Sequence, residues 1–410
     1  MLEQQRNNTM ALLALAISAF AIGTTEFISV GLLPLIADDL HISVTTAGLT
    51  VSLYALGVTF GAPVLTSLTS RMSRKTLLLA IMVVFIAGNT LAAVSSGIAM
   101  LLIARVVSAL SHGVFMSIGS TIAADLVPEQ RRASAIAIMF SGLTIATVTG
   151  VPLGTFIGEQ LGWRAALVAI VAIGVLAFAA NLILVPANLR KGLPMRISDQ
   201  IKLVTNSRLL LVFLITALGY GGTFVVFTYL SPLLREISGF GAGTINVILL
   251  AYGIAIAVGN VIGGKAANRN PIRALLYMFV AQTVVLFALS FAAPYQAASL
   301  IVIFLMGLFA FMNVPGLQVY VVMLAERFAP QAKDVASAVN IAAFNAGIAL
   351  GAYLGGIVAR EWGIIHTTWV GALMVLGAVL LAARARYLDD KDRNPAAIHR
   401  AHRMEESHHD

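Results

Sequence analysis

The 410-residue sequence contains no cysteine, which excludes disulfides, thiolate metal sites, iron–sulfur clusters and a cysteine nucleophile. Charge is almost as scarce: 11% of residues are Asp, Glu, Lys or Arg, whereas 59% are hydrophobic. That balance lies far outside the range of soluble globular domains and marks an integral membrane protein. No stretch between the apolar runs is long enough for a separate soluble domain. The first run is too long for a secretory signal and lacks a small-residue cleavage pattern, so it is expected to be retained as a helix. The net charge of +8 does not indicate nucleic acid, because the basic residues sit in short loops between apolar runs.

What the sequence does contain is twelve apolar runs, at about 10–36, 46–68, 76–96, 98–125, 133–158, 164–186, 208–235, 244–266, 273–293, 297–325, 335–359 and 364–386. Each is long enough as a helix to cross the ~30 Å hydrocarbon core. With a cytoplasmic N-terminus, Arg71, Arg74, Lys75, Arg131, Arg132, Lys265, Arg269, Arg273 and the basic run from Arg190 to Arg208 all fall on the cytoplasmic side. The opposite loops hold only Arg164, Arg235 and Arg360. That asymmetry obeys the positive-inside rule and places both termini in the cytoplasm. A multi-pass protein of a bacterial-type cytoplasmic (inner) membrane is expected, with these charges setting orientation.

The sequence also repeats. "LYALGVTFGAPV" from Leu53 matches "LAYGIAIAVGNV" 198 positions later, laying Tyr54 on Tyr252, Gly61 on Gly259, Pro34 on Pro232 and Arg71 on Arg269. "PEQRRASAI" from Pro128 likewise matches "PQAKDVASAV" from Pro330. The expected organisation is an all-α protein with an N-terminal six-helix bundle (1–189), a cytoplasmic linker (190–207), a C-terminal six-helix bundle (208–386) and a cytoplasmic tail (387–410). Two repeated halves with a site between them at the midplane form a transporter architecture. Runs five and eleven carry small residues every fourth position: Gly142, Ala146, Gly150, Gly154, Gly158, and Ala343, Gly347, Gly351, Gly355, Ala359. Such faces allow close backbone approach in lipid; matched in two halves, they are expected to be sliding interfaces. Pro152 removes a hydrogen bond and is expected to bend the fifth helix.

On "TTEFISVGLLPLIADDL", "AGLTVSLYALGVTFGAPVL", "ARVVSALSHGVF" and "GVPLGTFIGEQLGWR", the chain resembles the major facilitator superfamily. Within it, the chain is most similar to the twelve-helix drug:proton antiporters, in the sugar-efflux or arabinose-efflux-permease-like branch. The resemblance covers essentially the whole chain up to the tail. It implies alternating access around a central cavity lined mainly by the first, fourth, seventh and tenth helices, and a monomer. The family's loop after the second helix is represented by "TSLTSRMSRK": Arg71, Arg74 and Lys75 are present, but Thr66, Ser70 and Ser73 replace two glycines and an aspartate. Ala109 stands where the fourth-helix motif usually has glycine. "GVPLG", with Gly150, Pro152 and Gly154, is a variant of the antiporter motif. The conformational motif residues are therefore Arg71, Arg74, Lys75, Gly150, Pro152 and Gly154.

Glu26 is the acid in the first apolar run. Ionised and unpaired at mid-bilayer it would cost ~2.5–3.5 kcal/mol, so it either stays protonated or finds a partner. Its repeat counterpart is Phe224, so the fold itself requires no acid there. Arg105, Ser108 and His112 fall at i, i+3 and i+7 on one face of the fourth helix. Counted from the cytoplasmic ends, Glu26 lies ~25 Å deep, Arg105 ~28 Å and His112 ~18 Å, so the three can meet. In one reading Glu26 carries the coupling proton, Arg105 tunes it, and His112 is a second titrating group or a substrate donor. In the other, Glu26 and Arg105 are a fixed ion pair and His112 a packing residue.

In the second half, Tyr220, Thr223 and Phe227 on the seventh helix, Asn313 and Gln318 on the tenth, and Asn340 and Asn345 on the eleventh are candidate substrate contacts or interhelical hydrogen bonds. This mixed lining suits a neutral sugar-like or amphipathic solute such as chloramphenicol. A net anion could use Arg105, whereas a dication would be poorly served. The expectation is proton-coupled export, with the proton as coupling ion and no other cofactor. The alternatives are a uniporter or uptake carrier and a non-transporting sensor of the same fold. "GNVIGGKA" has the spacing of a phosphate loop, but Ala266 replaces the magnesium-binding hydroxyl and no strand precedes it. His399, His402, His408 and His409 are read as a solvated tail rather than a metal site. No intramembrane nucleophile and base are apparent beyond Glu26 and His112, so an enzyme is not expected.

Overall fold

The computed structural model describes residues 2–42, 44–187, 189, 203 and 205–393. Most of the expected linker, and the tail beyond 393 with its four histidines, lie outside these residues. The described residues are mainly helical, with α1 Leu2–Asp39, α2 Val44–Leu68, α3 Arg74–Ala93, α4 Ile98–Asp125, α5 Arg132–Leu161 and α6 Trp163–Leu184 in the first half. The second half comprises α7 Ser207–Phe227, α8 Leu230–Glu236, α9 Ala242–Ala267, α10 Pro271–Ala292, α11 Gln296–Ala310, α12 Val314–Phe328, α13 Lys333–Glu361 and α14 His366–Arg393. Among the described residues, twelve helical stretches are long and apolar enough to cross a membrane; α7 with α8, and α11 with α12, each make one.

Local chemistry sets several boundaries. The Ser73 side chain accepts from Thr76 N to start α3, and Asn206 accepts from the amides of Arg208 and Leu209 to start α7. Asn270 caps α10, with Pro271 in its first turn, where a missing N–H costs nothing. The two broken spans share a cause. A proline ring crowds the carbonyl four residues earlier, and Pro232 and Pro315 stand four residues after Thr228 and Phe311, where the helices are interrupted. By contrast α1, α2 and α5 continue unbroken through Pro34, Pro63 and Pro152.

Within the first half α1 packs on α5 and α6, and α4 on α2 and α3. Within the second, α7 packs on α13 and α14, α10 on α14, and α9 on α11. The halves meet chiefly through α5 with α9 and α2 with α13. Large apolar side chains such as Phe60, Leu176, Ile183 and Phe291 are exposed, as expected of surfaces that face lipid.

The small-residue stripes do not form sliding interfaces between the halves, which corrects that expectation. A Cβ on Gly142 would run into the Ala16 carbonyl, and one on Gly154 into Ile28, both on α1. Gly347 and Gly351 sit in the same way against Ala217 and Gly221 of α7. The stripes are seams inside each half, because small side chains bring together whichever backbones need the closest contact. Close approach between the halves occurs at Gly253 against Val148 and at Gly264 against Ala133 and Ala137. Gly142→Val should therefore destabilise the protein by about 1–3 kcal/mol. Gly48→Ala, where a Cβ meets nothing within 4 Å, should be neutral or mildly stabilising. Heat denaturation of the two variants in detergent checks the contrast.

Candidate functional site

A cavity of about 260 Å³ lies between the halves. From the first half, α1 supplies Glu26, α2 supplies Tyr54, and one face of α4 supplies Arg105 and His112. The Tyr54 hydroxyl is 3.0 Å from His112 Nδ1. The Arg105 guanidinium lies over the Tyr54 ring, 4.1 Å from its centroid. Arg105 Nη1 donates to the Thr25 carbonyl at 3.0 Å and Nε to that of Thr50 at 3.4 Å, while buried Nη2 has no hydrogen-bond partner. Glu26 Oε2 stands 3.9 Å from His112 Nδ1, and the Glu26 side chain is 28% exposed against 6% for that of His112. Among the described residues no ion pair joins Glu26 to Arg105. The guanidinium is held by two carbonyls and an aromatic face, and the carboxylate is left open to the cavity.

The second half contributes an aromatic wall. Tyr220, Phe224 and Phe227 fall at i, i+4 and i+7 on α7, one helical face. Tyr220 packs against Phe224, Phe311 and Phe344 with ring centroids 5.0–5.5 Å apart. Phe227 stacks on Tyr252 at 5.3 Å and 14°. Of the residues singled out in this half, Tyr220, Thr223, Phe227 and Asn345 line the cavity.

Asn313, Gln318 and Asn340 are outside that lining. Asn340 accepts from Thr216 at 2.7 Å and donates to Gln318 Oε1 at 2.8 Å, Gln318 donates to Ser337 Oγ, and Ser337 donates to the Ser117 carbonyl of α4 at 3.0 Å. Gln318 and Asn340 thus tie α7, α12 and α13 together. Asn313 is buried at the break between α11 and α12 without a hydrogen-bond partner for its amide.

Tyr54, Phe224, Phe344 and Tyr252 were not singled out as site residues from their own chemistry. For three of them the repeat was the available signal, since it superposes Tyr54 on Tyr252 and Glu26 on Phe224; nothing in the sequence marked Phe344, and all of these residues line the cavity. Tyr54→Phe keeps the ring beneath Arg105 but removes the bond to His112. It is expected to cost about 1 kcal/mol, or roughly fivefold in apparent substrate affinity. Tyr54→Leu also removes the cation–π contact and should cost more; transport titrations of the two variants separate the contributions.

At one end of the molecule the halves are bridged by charge. Arg74 pairs with Asp125 of its own half and, at 2.8 Å, with Asp334 of the other. Lys333 reaches back to Asp125 at 2.6 Å and to Glu326 at 2.9 Å, and Arg132 meets Glu326 at 2.7 Å. Neutral bonds reinforce the contact: Asn268 donates to Ser134 Oγ at 2.6 Å and Asn260 to the Ala137 carbonyl at 2.8 Å. Asp125 and Asp334 thus supply acids to a loop that has Ser70 in place of its usual aspartate. Of the other motif residues, Arg71 is exposed, Lys75 donates to the Leu182 carbonyl at 2.8 Å, and Gly150 and Gly154 are buried.

Polar contacts at the opposite end stay within halves. Asp39 accepts from Arg164 at 2.7 Å and Trp163 at 3.1 Å, and Tyr229 donates to the Ala352 carbonyl at 3.1 Å. The bonds from Arg164 and then Trp163 hold the Asp39 carboxyl below its usual range. Among the described residues no polar bridge links the halves there.

Residues 15–327 match the model of the Major Facilitator Superfamily. The chain belongs to the major facilitator superfamily. This superfamily member is 72% identical over 396 residues to the MFS-type transporter YtbD of Bacillus subtilis (strain 168), covering 97% of this chain and 100% of that one. It is 37% identical over 371 residues to the inner membrane transport protein YdhP of Escherichia coli (strain K12), covering 90% and 94%. Among solved structures, that of the human organic anion transporter MFSD10 (TETRAN) superposes with a TM-score of 0.76 at 15% identity, covering 92% and 99%. The superfamily member is thus a multi-pass membrane transporter of a family that is not enzymatic, and as such is expected to bind a small-molecule substrate within the membrane.

Proposed function

We propose that this protein exports a small neutral or amphipathic solute across a bacterial inner membrane in exchange for protons, by alternating access. The observation that carries the reading is the open Glu26 carboxylate, which faces the cavity beside His112 without an ion pair to Arg105. An acid in that position can be protonated from one side of the membrane and give up the proton on the other, once the halves rock and change its access to water. The opposing aromatic wall accepts the apolar body of a solute, while Thr223 and Asn345 offer hydrogen bonds. In the positive-inside orientation the bridged end is cytoplasmic, so this state is closed to the cytoplasm. One charge crossing ~100 mV supplies ~2.3 kcal/mol, enough for a solute gradient of ~50-fold.

Inverted membrane vesicles with an imposed acid interior test the reading, with proton release followed as chloramphenicol, sugars and nucleosides are added in turn. Release on adding one of these compounds, together with its flux, is the expected result. Flux without proton release would make the protein a uniporter.

A further inference from the structure

A second cleft, of about 560 Å³, opens on the outer side of the second half, where α9 ends, α10 begins and the tenth span breaks. Arg269, Arg273 and Tyr277 line one part of it; Ala281, Phe309 and Met312 line the apolar remainder. The Arg273 guanidinium is 5.8 Å from the Tyr277 ring centroid. Both arginines are exposed, and among the described residues neither has a carboxylate within 4.0 Å.

The repeat makes this notable. In the first half Arg74 is engaged by Asp125 and Asp334, and Lys75, which falls on Arg273, is engaged by the Leu182 carbonyl. In the second half Ile272 stands at the position of Arg74; Arg273 meets the Tyr277 hydroxyl, which Arg386 of α14 also reaches, and among the described residues neither Arg269 nor Arg273 is held by a carboxylate. Orientation by the positive-inside rule accounts for basic residues in this loop, but not for an apolar cavity beneath them.

An apolar groove of about 390 Å³ follows between α10 and α14, lined by Val284, Phe287, Ala288, Leu373 and Leu376. Arg273, Tyr277, Ala281, Val284 and Ala288 are spaced by four, four, three and four residues, so they share one face of α10. From Arg273 to Ala288 that face runs roughly 22 Å, about the depth of one leaflet with its headgroup.

We propose that this face of α10 binds an anionic phospholipid, with its phosphodiester between Arg269 and Arg273 and an acyl chain in the groove from Ala281 to Ala288. Basic pockets between helices at the cytoplasmic membrane edge attract such headgroups, and two arginines correspond to a roughly 30-fold preference over a zwitterionic lipid.

The full-length protein in detergent, exposed to equal phosphatidylglycerol and phosphatidylcholine and read by native mass spectrometry, tests this. Wild type should retain phosphatidylglycerol with a preference on the order of 30-fold, and Arg269→Gln/Arg273→Gln should fall to near parity. Ala281→Trp keeps both charges but fills the groove, and should also lose the lipid. Arg71→Gln/Arg131→Gln, an equal charge change away from the cleft, should leave the preference intact. Equal loss in that control would reduce the effect to general charge attraction and overturn the site. Retention in Ala281→Trp, or displacement of the lipid by inorganic phosphate, would make it a simple phosphate contact and overturn it as well.

Discussion

Glu26→Gln is expected to abolish gradient-driven transport while leaving solute exchange in place. Glutamine preserves the shape and hydrogen-bonding reach of the side chain but cannot take up and release a proton. Rocking of the halves and contact with the aromatic wall depend on other residues, so the carrier should still bind solute and equilibrate it. In vesicles energised at about 100 mV, the steady-state solute gradient should collapse from as much as ~50-fold to unity. Exchange of labelled for unlabelled solute should continue near the wild-type rate. Glu26→Asp, which keeps an ionisable group but withdraws it by one methylene, should recover part of the coupling. A glutamine variant that still builds a gradient would place the coupling proton elsewhere. One that loses exchange as well would make Glu26 part of the solute site itself.

Asp125→Asn is expected to release the bridged end. Asp125 is 12% exposed and accepts from Arg74 within its half and from Lys333 across the interface. Removing its charge leaves two cations close together with reduced compensation, and breaking buried pairs of this kind costs about 3–5 kcal/mol. The Arg74 contact lies within the first half and is lost in both states, so the part of the penalty that falls on the bridged state alone is the loss of the Lys333 contact across the interface. The population should therefore move toward the alternative state.

The absence of native cysteine makes the shift easy to read. Ala338 is fully buried on α13 beside the bridge, so Ala338→Cys should react slowly with a membrane-impermeant maleimide in the parent and at least about tenfold faster with Asp125→Asn, a small part of what 3–5 kcal/mol allows. Asp334→Asn, which removes the Arg74–Asp334 contact but leaves the Asp125–Lys333 pair in place, should have a smaller effect. Unchanged labelling in both variants would mean that the ion pairs do not hold this end shut.

The membrane spans were legible because an unbroken apolar run has few other interpretations. Their breaks were less so: Pro232 and Pro315 interrupt helices, whereas Pro34, Pro63 and Pro152 do not. The local clash is the same at each proline, so the proline alone does not foretell the break. Glu26 stood out as an acid in an apolar run, and helical spacing put Arg105 and His112 on one face. Tyr54 did not stand out, since a tyrosine in a membrane helix is unexceptional until the fold places it between Arg105 and His112. Asp125 was not singled out, because its partner Lys333 lies 208 positions away. The polar groups of Gln318 and Asn340 were visible, but only the packing of α7, α12 and α13 shows that they are satisfied by one another. The stripes on α5 and α13 were legible as close-contact faces, but a four-residue spacing carries no information about which helix is the partner.

If Glu26 exchanges a proton for substrate, purified protein should release that proton when substrate binds. Wild type and Glu26→Gln, in weakly buffered detergent solution, are mixed with a compound that binds both, chosen from chloramphenicol, sugars and nucleosides. Wild type should release a proton on binding, and the variant none. Equal release from both proteins would contradict that role for Glu26.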